Sequence, residues 1–269
     1  MNAGTLFIVA TPIGNLADAS PRCIETLRSV HIVACEDTRT SRNLLAHYDI
    51  TARTVALHEH NECTASAKLI ALLREGQTIA LVSDAGTPGL SDPGAWLVEQ
   101  AHRAGVRVIP IPGPSAVVTA FSASGFAANG FVFAGFLPAS RSARRKALET
   151  LDVPWPLILY EAPHRIAETI EDLGERFGGE REICIARELT KKFEEIVRLP
   201  LAQAAHWLAA ERHRQQGEFV LVIAPGESKT ANAIDAEHVL KILLGTMPPS
   251  EAAKLAARIS GVPKSVLYR

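Results

Sequence analysis

The chain is short of several things. Aromatic residues make up only 6% of it, so a wide base-stacking surface is not evident in the composition. Its net charge is −1, so no global field calls for nucleic acid, although a local basic patch remains open. Four cysteines (Cys23, Cys35, Cys63, Cys184) are scattered without a C-x-x-C pair. That pattern suits reduced thiols in a cytosolic protein and no metal cluster. No apolar run reaches the roughly 18–20 residues that span a bilayer. The start, MNAGTLFIVATP, has neither a basic n-region nor a long apolar h-region, so a secretory leader is not expected. The expectation is a cytoplasmic protein with no membrane partner.

Motifs are missing too. There is no G-x-x-x-x-G-K-[ST], no G-x-G-x-x-G after a strand and no G-x-S-x-G elbow. HEHNE (58–62) is not H-E-x-x-H, because His58 and His60, two apart, cannot share a helix face. The usual nucleotide, zinc-protease and hydrolase signatures are therefore excluded.

What is present is a strongly alternating pattern. With 269 residues, 47% of them hydrophobic, the chain can fill two cores of ordinary size. Apolar runs at 6–10, 31–35, 54–57, 78–82 and 106–111 read as strands, with helical patterns between them. Ser20 is a helix N-cap with Pro21 at the first helical position, and Gly76 and Gly105 stop helices. Strands that are apolar throughout and spaced by helices predict a parallel sheet covered on both faces. The second half reads as a mixed sheet, with strands at 131–136, 156–162, 182–189, 194–200 and 218–224. The run 182–200 looks like two antiparallel strands joined by a short turn. The expected architecture is α/β: an N-terminal domain over 1–122 with ligand-binding loops, a second α/β domain over 123–226, a cleft between them, and a helical tail over 234–269. In that tail Ser250 would cap one helix, a second would start near Pro263, and Ala257 and Gly261 have helix-turn-helix spacing. A plain helical hairpin reads the same way.

Four strand ends carry unusual loops: TPIGN (11–15), EDTRTSR (36–42), SDAGTPG (83–89) and PGPSA (112–116). In an open parallel sheet these lie on one edge, where ligands bind. Gly and Pro let backbone approach a ligand in a fixed shape. Asp84 can receive a charged or hydroxyl-bearing group, and Ser115 opens a helix whose amides favour an anion. Tight turns alone would need fewer such residues.

TLFIVATPIGNLADAS, ACEDTRTSRNLL, VSDAGTPGLSDPG, VIPIPGPSAVVTA, LYEAPHRI, RELTKKFEE and GEFVLVI follow one another along essentially the whole chain. In this order they resemble the ribosomal-RNA branch of the tetrapyrrole methylase superfamily, the bacterial 16S ribosomal RNA (cytidine-2′-O)-methyltransferases. The first loop is TPIGN where porphyrin-acting members have one like G-x-G-P-G-D, so the chain resembles the RNA branch. The resemblance implies S-adenosyl-L-methionine folded into the cleft, a decoding-region cytidine ribose as acceptor, a small-subunit substrate and a homodimer. It places Asp84, Gly86 and Thr87 on one wall of the donor pocket and Ser115 and Ala116 on the second. Pro12 would form the floor, and Glu161 and Ile223 would lie near the adenine.

The acceptor hydroxyl needs in-line placement and a proton acceptor, with no metal implied. Glu36, Asp37, His164 and Lys191 are the candidates, and the sequence does not choose among them. Lys191 qualifies only if its pKa is lowered. Arg39 and Arg165 are read as phosphate holders. The basic run Arg141, Arg144, Arg145 and Lys146 is the best RNA-contact patch, with Lys254, Arg258, Lys264 and Arg269 as a second. Salt-bridge and capping clusters, or solvated helix faces, would look the same. Three rivals stand beside this reading: a tetrapyrrole methyltransferase of the same fold, a divalent-metal hydrolase using Asp37, Asp84 and Asp92, and a non-catalytic ribosomal RNA assembly factor.

Overall fold

The computed structural model describes residues 4–226, 236–260 and 262, with backbone alone at 236–238. The first half is a five-stranded sheet of β1 (Thr5–Val9), β2 (Ile32–Cys35), β3 (Arg53–Ala56), β4 (Ile79–Leu81) and β5 (Arg107–Ile111). Its order is β3-β2-β4-β1-β5, and every pairing is parallel. Successive side chains alternate between faces. Leu6, Ile32, Ala34, Ile79 and Leu81 pack with α3 (Glu62–Arg74) and α4 (Ala95–Arg103). Val9, Val33, Cys35 and Ala80 pack with α1 (Pro21–Ser29) and α2 (Thr38–His47). Ser20 caps α1 as expected, its hydroxyl accepting from the Cys23 amide at 3.1 Å. Gly76 and Gly105 stand just beyond α3 and α4 with φ of 93° and 67°.

The second sheet comprises β6 (Val132–Phe136), β7 (Leu157–Glu161), β8 (Glu182–Arg187), β9 (Glu195–Pro200) and β10 (Phe219–Ile223). Its order is β6-β7-β10-β8-β9. Only β6 and β7 run parallel; β10 lies antiparallel to both its neighbours, and β8 to β9. One face is covered by α6 (Arg141–Glu149), α7 (Ile166–Phe177) and α8 (Leu201–Ala210). The other face packs on α5 (Ala116–Ser124), through Val117 and Ala120, and on Ile13 from the first loop. The two halves are thus joined by a shared apolar cluster. The boundary expected at 122/123 falls inside the last turn of α5, which ends at Gly125 in the left-handed region.

Two glycines mark the seam. A Cβ on Gly14 would stand 2.4 Å from Lys191 Cγ and 2.9 Å from the Leu189 carbonyl. Gly135 has φ +64 beside a bulge in β6, and its Cβ would meet Ser91 Oγ at 2.7 Å. Both positions let loops of one half approach strands of the other.

The tail begins as two packed helices, α9 (Ala236–Leu244) and α10 (Pro249–Ser260). Its helix starts at Pro249, one residue before the expected cap. The polar linker from Glu227 on, and the second tail helix expected from Pro263, with Lys264 and Arg269, lie outside the described residues. Cys23, Cys35 and Cys184 are buried and Cys63 is exposed, all four as free thiols. Among the described residues no helix is long and apolar enough to cross a membrane, and no His, Cys, Asp and Glu cluster could hold a metal ion.

Candidate active site

A cavity of about 390 Å³ opens between the two sheets. That is within the usual range for a small-molecule pocket. The first half supplies Ile13 after β1, Ala85–Thr87 and Leu90–Asp92 after β4, and Ser115 and Ala116 at the start of α5. The second half supplies Phe136, Tyr160–Pro163, Leu189 and Glu218–Val220. The loops are laced together. Thr11 and Gly86 exchange both backbone hydrogen bonds at 2.9 and 3.0 Å. The Thr87 hydroxyl donates to the Pro114 carbonyl at 3.0 Å. Glu62 on α3 accepts from the Gly94 and Trp96 amides, at 2.7 and 3.1 Å, and so pins the far end of the long loop.

The lining has a clear chemical character. Asp92, Glu161 and Glu218 lie along it with, among the described residues, no Lys, Arg or His, but Glu161 is bonded to Thr169 and Arg165, and Glu218 to Lys191. The rest is mostly apolar or aromatic, with Phe133 and Phe136 ring-packed on Tyr160 at 4.9 and 5.5 Å. Ser115 Oγ is buried without a hydrogen-bond partner, and it does not cap α5. The first turn of α5 therefore presents amide groups and a hydroxyl to the cavity.

Of the expected donor-site residues, Gly86, Thr87, Ser115, Ala116 and Glu161 lie on the wall, while Pro12 and Asp84 do not. Asp84 instead accepts from the Asp37 amide at 3.1 Å, tying the second and fourth loops together. Glu161 is buried and turned inward: it accepts from Thr169 Oγ1 at 2.6 Å and pairs with Arg165. Ile223 does not line the cavity. It is fully buried in the core under α6–α8 and pairs with Leu157 and Ile183, at the strand ends opposite Glu161 and Arg187. The rule that ligands lie at strand carboxyl ends holds for parallel strands, and β10 runs the other way. Its beginning, Phe219–Val220, reaches the cavity.

The candidate proton acceptors fare unequally, and none of the four lines the cavity. Asp37 caps α2 and pairs with the exposed Arg39. Hydrogen bonds from Arg39 lower it to about 2, too weak a base. Arg39 spends its guanidinium on that pair. Lys191 donates to Glu188 and Glu218 at 2.9 Å each. Burial works to lower its pKa, but the two carboxylates outweigh it and raise it, the reverse of what a base requires. His164 is exposed beside Pro163. Glu36 is half-buried, and burial followed by the charge of Asp84 raises its pKa.

Asp92 was placed by the sequence only in the metal-hydrolase alternative. It lies on the cavity wall, and no cation pairs with it among the described residues. Burial, then the charges of Glu36 and Asp84, push it up to about 6, against the pull of Ser83. Burial and the nearby Asp92 charge push Tyr160 up to about 12, so the phenol stays protonated. The signal available in sequence was a carboxylate in a loop already carrying Asp84.

The basic run is also corrected. Arg144 is 0% exposed and bonds Asp172 at 2.7 Å and Glu168 at 3.1 Å. Arg141 bonds Asp172 at 3.0 Å, and Arg145 bonds Asp172 at 2.8 Å and also Glu175. Three guanidinium groups thus converge on one buried carboxylate of α7, so this run fastens α6 to α7. Lys146, on the same helix, is exposed. Arg165 donates to the Leu137 carbonyl at 2.6 Å and to Glu161, so it too is spent internally.

The family model described as Tetrapyrrole (Corrin/Porphyrin) Methylases matches residues 5–205. A second, described as RsmI C-terminal HTH domain, matches 230–269. The chain is 48% identical to a protein of Pseudomonas aeruginosa named ribosomal RNA small subunit methyltransferase I, over 100% of this chain and 97% of that one. It is 45% identical to a protein of the same name in Escherichia coli O157:H7, over 99% and 94%. Among solved structures it is similar to a uroporphyrin-III C-methyltransferase of Thermus thermophilus complexed with S-adenyl homocysteine, at TM-score 0.55, 17% identity and 83% and 98% coverage. It is also similar to a diphthine synthase, at TM-score 0.61, 16% identity and 82% and 90% coverage. At such identities these two speak to the fold alone.

Proposed function

The chain belongs to the tetrapyrrole methylase family, and from that membership we propose that it is an S-adenosylmethionine-dependent methyltransferase that methylates the ribose 2′-hydroxyl of a decoding-region cytidine in 16S ribosomal RNA. The observation that carries the reading is the match, across the whole chain, to methyltransferases named for the small ribosomal subunit RNA. The tetrapyrrole alternative is not favoured by those relatives.

The cavity fits the donor. A sulfonium cation suits a wall that carries Asp92 and, among the described residues, no Lys, Arg or His, and an adenine suits an apolar lining beside Phe219 and Val220. The orphaned Ser115 hydroxyl at the N-terminus of α5 suits the carboxylate of the amino-acid tail. When bound, S-adenosylmethionine supplies an electrophilic methyl group. The chain has to hold the acceptor in line, exclude water and take one proton.

Asp92 takes that proton. It is on the wall, it lacks a cation, and its pKa of about 6 leaves it ionised at neutral pH yet more basic than an ordinary carboxylate. Tyr160, kept protonated by burial and by the charge of Asp92, lies close to it. Glu36 and Asp84 act through their charge, keeping Asp92 basic. The protein works in the cytoplasm on the small subunit, as a homodimer formed through the apolar segment 117–136, where Val118, Phe131 and Phe136 are exposed.

The test is calorimetric titration with S-adenosylmethionine without added metal, followed by methyl transfer to unmodified small ribosomal subunits and mass analysis of the nucleosides. The reading expects donor binding and a single 2′-O-methylcytidine. Failure to bind the donor, or a need for magnesium, would overturn it.

A further inference from the structure

The turn that joins β8 to β9 presents one aromatic ring to solvent. Phe193 is 64% exposed, the most exposed large hydrophobic side chain among the described residues. An isolated exposed ring on a loose loop would mean little, but this turn is tightly built. Glu188 and Thr190 both take left-handed backbone angles, φ 51° and 64°. That conformation is unfavourable for a side chain with a Cβ, and most so for β-branched threonine.

The strained form is held by a dense set of bonds. The Lys191 amide donates to Glu188 O at 3.0 Å and the Glu194 amide to Lys191 O at 3.1 Å. The Thr190 amide donates to the Glu194 carboxylate at 2.6 Å. Arg187 reaches over to the Phe193 carbonyl at 3.1 Å, and Lys191 bridges Glu188 and Glu218. From the other half of the molecule, Gly14 packs directly on Lys191. Strain kept at this density of support points to function.

The place and the chemistry agree. Leu189 and Glu218, at the base of the turn, line the donor cavity. Phe193 is four residues from Leu189, so its backbone lies within about 14 Å of the cavity wall. The Lys192 ammonium sits 5.5 Å from the Phe193 ring centroid. An apolar ring and a cation side by side match a nucleobase and its phosphate. They do not match the broad patch that a protein partner covers.

We propose that Phe193, with Lys192 beside it, is the platform on which one base of the RNA substrate stacks, next to the nucleotide whose ribose reaches the donor. This rests on the ribosomal RNA reading above. It assigns the turn to holding the acceptor strand, and it leaves the donor to the loops of the first half.

The experiment compares the wild type with Phe193→Ala, Phe193→Leu and Phe193→Tyr. Methyl transfer to unmodified small subunits and retention of the same subunits on filters are read with each, alongside calorimetric titration with S-adenosylmethionine and sedimentation. Phe193→Ala is expected to lower kcat/KM for the subunit by about 10- to 100-fold, mainly through KM. Its donor affinity and its sedimentation should match the wild type. Phe193→Tyr should keep most of the activity, and Phe193→Leu should lose nearly as much as alanine. Full activity in Phe193→Ala, or wild-type activity in Phe193→Leu, would overturn the stacking role. So would parallel loss of donor affinity, or a change of oligomeric state, which would mark the ring as part of the pocket or of a subunit contact. If even the wild type transferred no methyl group while Phe193→Ala still lost filter retention, the reaction would be wrong and the platform would stand.

Discussion

Acidic residues behave in opposite ways in the two halves of the molecule. In the first, burial and neighbouring carboxylates raise Glu36 and Asp92; neither pairs with a Lys or Arg among the described residues, and only His58 pulls Glu36 the other way. In the second, Asp172 is buried, which alone would raise it, yet hydrogen bonds from Arg145, Arg144 and Arg141 hold it below the usual range. Glu182 is held low by Arg198, and Glu188, despite its burial, by Lys191. The same side chain is thus left poised for proton transfer in one half and used as a fastener in the other. The difference lies in what each fold places opposite the carboxylate.

The sharpest way to break this comparison is Asp92→Asn. It is expected to lower kcat by about 10²–10⁴-fold while donor affinity stays near that of the wild type. In the wild type only the ionised form accepts a proton, so kcat should rise with pH through about 6 and then level off. The sign for stability is the reverse. Charging Asp92 costs the folded state, a penalty absent below the ordinary carboxylate pKa and complete above 6. Asp92→Asn should therefore stabilise the protein by about 1–2 kcal/mol near pH 7.5 and not in acid, as thermal unfolding would show. An inactive but less stable variant would mean that Asp92 is a fastener too.

Asp172→Ala removes the shared partner of three arginines. A loss of about 3–5 kcal/mol of stability is expected in denaturant unfolding, with donor affinity unchanged in protein that remains folded. The contribution of Asp172 is present above the ordinary carboxylate pKa and is lost as pH falls through its depressed one. A smaller effect comes next, at the seam. Gly135→Ala forces a left-handed alanine against Ser91 and should cost about 1–2 kcal/mol. A weaker donor affinity should accompany it, since Ser91 lines the cavity. The smallest effect belongs to the exposed Arg198–Glu182 pair: Glu182→Gln should change stability by less than about 1 kcal/mol, and less still in high salt.

Much of this architecture could be read from the sequence, because periodicity and caps are local. All ten strands stand within a few residues of their apolar runs, and Ser20 caps α1 as its position implied. The four loops share an edge because parallel strands leave no other choice. Three things were hidden, each for a physical reason. The partners of Arg141, Arg144 and Arg145 lie about 30 residues away on another helix, so three arginines of the basic run are ion-paired in space while Lys146 stays exposed. The direction of β10 cannot be read from its composition, which led to Ile223 in place of Phe219 and Val220. The raised pKa of Asp92 comes first from its burial and then from the charges of Glu36, brought near by the end of β2, and of Asp84 in its own loop.

The position of β10 also bears on how the molecule is made. The last strand among the described residues takes the middle of its sheet, between β7 and β8. While the chain is emerging from the ribosome, β7 and β8 each have an open edge and no neighbour to cover it until residues 219–223 arrive. The wall of the donor cavity at Phe219 and Val220 is the last part to be delivered. A nascent chain halted before that strand has neither a finished second sheet nor a place for the methyl donor. Slow synthesis or early truncation in this short stretch would then yield a sticky, inactive product, whatever the quality of the two hundred residues before it.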